Sequence, residues 1–112
     1  MDIFLTINVD TGNGEKPIDV WYDSVTDNLM KMAKLANLYT VIYEPKFKKA
    51  RSQITPLKAG LEQLQMKDGY DSYKKLESRH LWGSYDALLL FTKKYLKACE
   101  DNPKCDVNVF SE

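Results

Sequence analysis

Few side chains in this sequence could perform nucleophilic or metal chemistry. The 112 residues include one histidine, His80, and two cysteines, Cys99 and Cys105. Neither cysteine has a histidine near it in sequence to act as its base, although catalytic groups also assemble from distant positions. One histidine and two cysteines six residues apart match no zinc-ligand spacing. The sequence therefore predicts no catalytic residue, no metal site and no cofactor.

An acidic, glycine-rich stretch at residues 10–15 has a faint likeness to a calcium-binding loop. It consists of Asp-Thr-Gly-Asn-Gly-Glu, but it lacks the bidentate glutamate that such a loop carries at its twelfth position. Because a strand rather than a helix is expected to follow, its Gly-x-Gly is not a phosphate-binding loop either. We interpret the stretch as the solvated tip of a β-hairpin.

Aromatic residues are abundant, with seven Tyr, four Phe and two Trp. A buried Tyr or Trp needs a partner for its polar tip, so these residues suit pockets and interfaces as well as cores. Trp82-Gly83-Ser84-Tyr85 places two large rings around a glycine at an expected helix N-terminus, where free amides favour a polar or anionic group. The segment is a candidate binding site, and packing between the helices and the sheet is the alternative.

The charge balance narrows the classes of partner. Sixteen Lys and Arg residues balance sixteen Asp and Glu residues, so the formal net charge is zero. A general nucleic-acid binder is expected to be strongly basic and a DNA mimic strongly acidic, so both classes are disfavoured. Near-zero net charge also leaves little electrostatic repulsion between copies of the chain, so a homodimer is a possible state.

The distribution of apolar residues bears on location. No run of about 18 apolar residues exists, which argues against a membrane span. The first residues lack the basic region of a signal peptide. We therefore expect a cytoplasmic protein, and in that compartment both cysteines are expected to stay reduced.

An alternation with a period of two predicts an N-terminal antiparallel hairpin with a loose tip, with strands at residues 3–9 and 18–23 around the turn at 10–14. The face of the first strand expected to be buried carries Ile3, Leu5, Ile7 and Val9. On the second strand, the same alternation places Trp21 on the polar face.

After the hairpin, apolar residues recur at the spacing of a helix. A helix is expected from residue 29 to 36, with Ser24 or Thr26 as its cap and Asn37 as a left-handed stop. Residues 38–43 are interpreted as a connector or a short extended piece. A second helix is expected over residues 54–64, with Pro56 in its first turn or at a kink. Gly60 within it is expected to allow the close approach of another backbone.

The remaining elements complete the fold. A short helix or turn is expected near residues 70–76, and Ser84 is expected to cap a last helix. Alternation at residues 106–110 predicts a final strand. The sequence thus predicts an α+β fold: an N-terminal β-hairpin, three to four helices, and a C-terminal strand that returns to a small antiparallel sheet. Residues 1–112 are expected to form a single domain.

Several short segments spread along most of the chain form a further signal. They are Val25-Thr26-Asp27-Asn28-Leu29, Lys31-Met32-Ala33, Leu38-Tyr39, Pro45, Trp82-Gly83-Ser84-Tyr85 and Tyr95-Leu96-Lys97-Ala98-Cys99. In this order they resemble a small protein family encoded by bacteriophages and prophages of Gram-positive and gut bacteria. The family pattern has His where this chain has Asp27, so no role of that imidazole is transferred. The resemblance implies a phage setting and nominates Thr26, Asn28, Trp82, Gly83 and Tyr85.

Together these observations predict a phage-encoded, non-catalytic protein that binds a host protein or a small signalling ligand, and so inhibits a host defence. The predicted binding residues are Thr26, Asn28, Tyr43, Trp82, Gly83 and Tyr85. Two alternatives stay open. One is a homo-oligomeric interaction or assembly module. The other is a small enzyme that uses Asp27, Asn28 and His80.

Overall fold

The computed structural model describes residues 1–45, 49–66, 70–75 and 84–111. Two strands open the chain, β1 (Asp2–Asp10) and β2 (Glu15–Ser24), followed by a 3₁₀ turn (Asp27–Leu29). The helices are α1 (Met30–Leu35), α2 (Tyr39–Tyr43), α3 (Ala50–Gln65), α4 (Tyr70–Lys74) and α5 (Tyr85–Asp101). The last element is strand β3 (Asp106–Phe110). Among the residues that the structure describes, no helix has both the length and the apolar character needed to cross a membrane.

The three strands form one antiparallel sheet in the order β2-β1-β3. The C-terminal strand therefore lies beside the N-terminal hairpin, and the predicted α+β fold is confirmed. One face of the sheet packs on the helices: Ile3 and Leu5 of β1 and Val107 of β3 belong to the same buried core as Tyr95 of α5. We call this the inner face, and the opposite one the outer face.

The hairpin is longer than the body that covers it. β3 pairs only with residues 2–6 of β1, and residues 7–20 are all exposed. The prediction that Ile7 and Val9 are buried with Ile3 and Leu5 is therefore wrong. The alternation correctly gives their common face, but burial also requires an element opposite that face, and β3 and the helices end before these residues.

A β-bulge changes the alternation of β2. Leu5 pairs with Trp21 and Thr6 pairs with Asp19, so Val20 is an extra residue on β2. Trp21 consequently lies on the inner face, where its ring stacks on that of Tyr95. The expectation that Trp21 lies on the polar face is wrong because the bulge shifts the side-chain alternation at this point.

Helix α1 ends as predicted. Asn37 has φ of 60°, and the amide of Leu38 donates to the carbonyl of Ala33 at 2.7 Å. The amide of Asn37 donates to the carbonyl of Lys34, which completes a Schellman motif. Thr26 caps the preceding 3₁₀ turn by accepting a hydrogen bond from the amide of Asn28.

Residues 39–43 form helix α2 and not the connector or extended piece that was expected. Their β-branched residues favour a strand only weakly, and tertiary packing overrides that preference here. Val41, Ile42 and Tyr43 are all buried in the core. A helix is the local structure that brings these three consecutive side chains and Leu38 into the core together.

Helix α3 begins at Ala50, earlier than expected, so Pro56 lies in its second turn and not in its first. Gly60 is buried, and a Cβ atom there would overlap the Leu38 side chain and would lie 3.3 Å from the carbonyl oxygen of Ala36. The predicted close approach is therefore confirmed: α3 packs directly on the segment between α1 and α2.

Helix α5 contacts the sheet through Tyr95, whose ring stacks on that of Trp21. Ser84 caps it as predicted, because its side chain accepts a hydrogen bond from the amide of Ala87 at 3.1 Å. Cys99 on α5 and Cys105 before β3 are both buried free thiols. The predicted short element near residue 70 is helix α4.

Candidate functional site

Three of the predicted binding residues lie together where the 3₁₀ turn meets α2. The Tyr43 hydroxyl donates to the carbonyl of Thr26 at 2.6 Å, and the Asn28 amide donates to the Thr26 hydroxyl at 3.3 Å. Burial raises the pKa of Tyr43, and the nearby carboxylate of Asp27 raises it further. These bonds fasten α2 to the turn. They occupy the Tyr43 hydroxyl with a backbone partner, as a core tyrosine requires.

Tyr85 has different neighbours from these three residues. It is buried, its hydroxyl donates to the carbonyl of Leu64 at the end of α3, and its ring lies 5.8 Å from that of Tyr73. Trp82 and Gly83 lie outside the described residues, as does His80 of the alternative enzyme. The structure therefore brings together Thr26, Asn28 and Tyr43, and it places Tyr85 in a separate set of contacts.

A depression of about 350 Å³ lies between the end of β2 and the first turns of α5. It is lined by Ser24, Val25, Thr26, Leu29, Ala87 and Phe91. Thr26 is the one predicted site residue in this lining, which holds hydroxyl and apolar side chains and no ionisable one. Across the described part of the chain, no group of three or more His, Cys, Asp or Glu residues could hold a metal ion.

Exposed apolar side chains concentrate on the sheet. Among the described residues, nine large hydrophobic side chains are exposed, and six of them belong to strands. These six are Ile7, Val9, Ile18, Val20, Tyr22 and Phe110. Scattered exposed apolar residues need no explanation, but residues that adjoin one another in a patch are typical of an interaction surface. The register divides the six between the two faces of the sheet, with Ile7, Val9 and Ile18 on one face and Tyr22 and Phe110 on the other.

The end of the hairpin forms what we call the arm, residues 7–18. Ile7 and Ile18 pair across its two strands, are 40% and 50% exposed, and share a face with Val9. The tip is well ordered by hydrogen bonds: the Asp10 carboxylate accepts from the amide of Gly12 at 2.9 Å, and the Thr11 amide donates to the Gly14 carbonyl. The arm is therefore a structured ribbon with an uncovered apolar face.

A row of aromatic rings crosses the outer face of the sheet. The ring of Phe4 on the central strand lies 4.9 Å from that of Tyr22 and 5.6 Å from that of Phe110. Tyr22 and Phe110 are 54% and 58% exposed. Phe4, Thr6, Asp19, Asn108 and Phe110 line a shallow depression of about 210 Å³ beside the rings. One ring from each strand thus forms a continuous apolar surface.

The outer face of the strands also carries carboxylates, from the base of the hairpin to its tip. The register of β1, β2 and β3 places five acidic residues on the outer face and no lysine or arginine on that face of these three strands. The five are Asp2, Asp10, Glu15, Asp19 and Asp106. Tyr22 donates to the Asp2 carboxylate at 3.0 Å, and this hydrogen bond is the main reason why the pKa of Tyr22 is raised. Lys49 approaches from the sheet edge and pairs with Asp106 at 2.8 Å. The chain has no net charge, yet this face is acidic.

Comparison with known protein families, with curated proteins and with solved structures finds no match to this chain. The resemblance to phage proteins stays a prediction from short segments. The site is therefore defined by its geometry alone.

The outer-face aromatic row was missed by sequence reasoning, although part of its signal was present. The alternation of β1 already places Phe4 opposite the buried face of Ile3 and Leu5. The strand at residues 106–110 likewise sets Phe110 apart from Val107 and Val109. Tyr22 could not be assigned correctly, because the bulge at Val20 determines its face and nothing in the local sequence identifies that bulge.

Proposed function

We propose that this chain acts by binding a partner protein through its sheet, without catalysing a reaction. The observation that carries the proposal is the concentration of exposed apolar and aromatic side chains on the arm and the outer face. Aromatic residues are enriched where protein interfaces hold most of their binding energy. The predicted small-ligand residues Tyr43 and Tyr85 give less support to a pocket, since both hydroxyls bond backbone carbonyls.

If the family resemblance holds, the proposed partner is a protein in the cytoplasm of a bacterial host. A phage-encoded protein that binds a host protein can inhibit it by occupying its surface, and interference with a host defence protein is the form of the proposal that this setting suggests. It requires only a stable, exposed binding face.

The experiment compares what the intact chain and its surface variants retain from a bacterial extract. The arm variant carries Ile7→Ser and Ile18→Ser, and the outer-face variant carries Tyr22→Ser and Phe110→Ser. The matched control carries Leu35→Ser and Leu90→Ser, which replace comparably exposed apolar residues on helices. We expect a specific partner to be retained by the intact chain and the control, and lost from at least one sheet variant.

Two outcomes would contradict the proposal. One is a partner lost with the helix control and kept by both sheet variants. The other is turnover of a substrate by the purified chain at many products per molecule. Circular dichroism of each variant establishes that the fold is retained before binding is compared.

Self-association is a second candidate function, and the arm favours it. β3 pairs only with residues 2–6 of β1, so no described strand pairs with the other edge of β1 at residues 7–10. An uncovered strand edge beside exposed Ile7 and Ile18 can pair with a second copy. Light scattering over a range of concentrations tests this: the candidate predicts a dimer that Ile7→Lys converts to a monomer, and a monomer at every concentration contradicts it.

A further inference from the structure

The outer face combines two features that together specify the chemistry of a partner. Its rings, from Phe4, Tyr22 and Phe110, present π faces and edges across all three strands. On β1, β2 and β3 this face carries carboxylates and no basic side chain. Lys49, bridged to Asp106 at the edge of β3, pairs with that carboxylate and leaves those of Asp2 and Asp19 without a cation among the described ion pairs. Asp2 adjoins the rings through its hydrogen bond with Tyr22, and Asp19 lines the same depression as Phe4 and Phe110.

We propose that the outer face binds an arginine-bearing segment of a partner protein. Guanidinium groups lie over the aromatic row and pair with the carboxylates of Asp2 and Asp19. This inference rests on the proposed function, because it names the chemistry of the segment that the sheet binds.

Charge complementarity selects a cationic segment. An aliphatic partner would remove the carboxylates from water without giving them a counter-charge, which is unfavourable. A nucleic acid offers bases that could stack on the rings, but its phosphates would meet carboxylates on all three strands, and Lys49 at the edge is already paired with Asp106. A positively charged polypeptide satisfies both the rings and the carboxylates.

The rings favour arginine over lysine within the class of cationic segments. The guanidinium group is planar, stacks on aromatic faces and donates two parallel hydrogen bonds to one carboxylate. An ammonium group is a compact, strongly hydrated charge, and it gains less from an exposed ring. Here rings and carboxylates lie side by side on paired strands. A guanidinium group can therefore stack on a ring and donate hydrogen bonds to a carboxylate at the same time.

The experiment titrates the chain with a short fluorescent peptide of alternating arginine and glycine, and with matched lysine and glutamate peptides. Fluorescence anisotropy gives the affinity, and ¹H–¹⁵N spectra of the labelled chain give the location. We expect the arginine peptide to bind more tightly than the lysine peptide and the glutamate peptide not to bind. Shifts should concentrate on the strands around Phe4, Tyr22 and Phe110, and affinity should fall as salt rises.

Substitutions identify the groups responsible. Asp19→Asn should weaken arginine-peptide binding by about two- to fivefold, the change that one exposed ion pair supports. Phe110→Ala should reduce the preference for arginine over lysine. Phe110 is exposed on the last strand, so this variant is expected to fold, and spectra of the free variant verify it. Leu90→Ala, at an equally exposed apolar position on α5, is the matched control and should change neither value.

Several results would overturn the inference. They are no saturable binding of the arginine peptide, equal binding of the lysine peptide unaffected by Phe110→Ala, shifts confined to helices, and tighter binding of a single-stranded oligonucleotide. If a partner is lost with the sheet variants while the arginine peptide does not bind, the inference fails and the proposed function stands. If the peptide binds but the sheet variants retain every partner, the proposed function fails by itself.

Discussion

The indole ring of Trp21 lies parallel to the buried ring of Tyr95, with centroids 5.6 Å apart and planes 3° apart. This contact joins the middle of β2 to α5 directly beside the bulge at Val20. The arm begins where this contact ends, because no residue from 7 to 20 is buried. The stacked pair therefore holds the base of the hairpin to the body, while the apolar side chains of the arm and of the outer face stay exposed.

Removal of this ring should destabilise the whole domain. We expect Trp21→Ala to lower the free energy of unfolding by roughly 1–3 kcal/mol, less than the loss for a fully buried aromatic residue because Trp21 is half-buried. Tyr22→Ala at the next, exposed position is the control and should cost less. Urea unfolding followed by circular dichroism measures both, and equal losses for the two variants would refute the anchoring role of Trp21.

Gly60 should be intolerant of even a methyl group. A Cβ atom would overlap the buried Leu38 side chain, so Gly60→Ala should destabilise by about 1–3 kcal/mol in spite of the better helix propensity of alanine. Thr55→Ala, at an exposed position on the same helix, should be neutral or slightly stabilising. Thermal unfolding compares the two variants, and a stabilised Gly60→Ala variant would contradict the packing described for α3.

The left-handed backbone at Asn37 gives a third test. Because its φ is 60°, Asn37→Gly should be neutral or stabilising, whereas Asn37→Val should cost about 1–2 kcal/mol since a β-branched residue is disfavoured there. Both variants keep the amide that donates to Lys34. Chemical unfolding distinguishes them, and equal stability of the glycine and valine variants would show that this backbone conformation is not required.

Alkaline pH should weaken the fold through a buried thiol. Burial raises the pKa of Cys99 to about 12, and the neighbouring Cys105 adds to this rise. The pKa of an unfolded cysteine is about 8.5, so above that pH the unfolded state loses a proton that the folded state keeps. The contribution of the neutral thiol is complete below about pH 8.5 and is lost as the pH rises toward about 12.

The measurement is the free energy of unfolding at successive pH values. Between about pH 9 and 10, stability of the unmodified chain should fall more steeply than that of Cys99→Ala, by up to about 1.4 kcal/mol per pH unit. Parallel curves for the two proteins would contradict the assigned shift. Thiol-reactive reagents should also label Cys99 slowly at neutral pH until denaturant is added. The reason is that the thiol is buried away from the reagent and little of it is in the reactive thiolate form.

The sequence predicted the elements of the fold better than their surroundings. Alternation identified all three strands, and capping and stop residues such as Ser84 and Asn37 identified helix ends because these signals act locally. The prediction that Ile7 and Val9 are buried was wrong, because their burial depends on how far β3 and the helices extend along the hairpin. Helix α2 was not predicted, because packing around Val41 and Ile42 outweighs their local preference for strand.

In the candidate site, too, local sequence signals could be interpreted but long-range contacts could not. Sequence reasoning treated aromatic residues as the informative excess and selected Tyr43 and Tyr85, whose hydroxyls are bonded to backbone carbonyls in the structure. The exposed rings of Phe4, Tyr22 and Phe110 come from three strands distant in sequence, and their common face depends on strand register and on one bulge. Such long-range pairing is not encoded in any local pattern.

Site-resolved photo-crosslinking tests the central claim, that this chain acts by binding a partner protein through its sheet, most directly. A photoreactive amino acid replaces, in separate variants, Ile18 on the arm, Phe110 on the outer face and Leu90 on α5, and each variant is irradiated in bacterial cells. We expect one partner protein to crosslink at Ile18 or Phe110 and not at Leu90. Crosslinking of that partner at Leu90 alone, or of no partner at any of the three, would contradict the account.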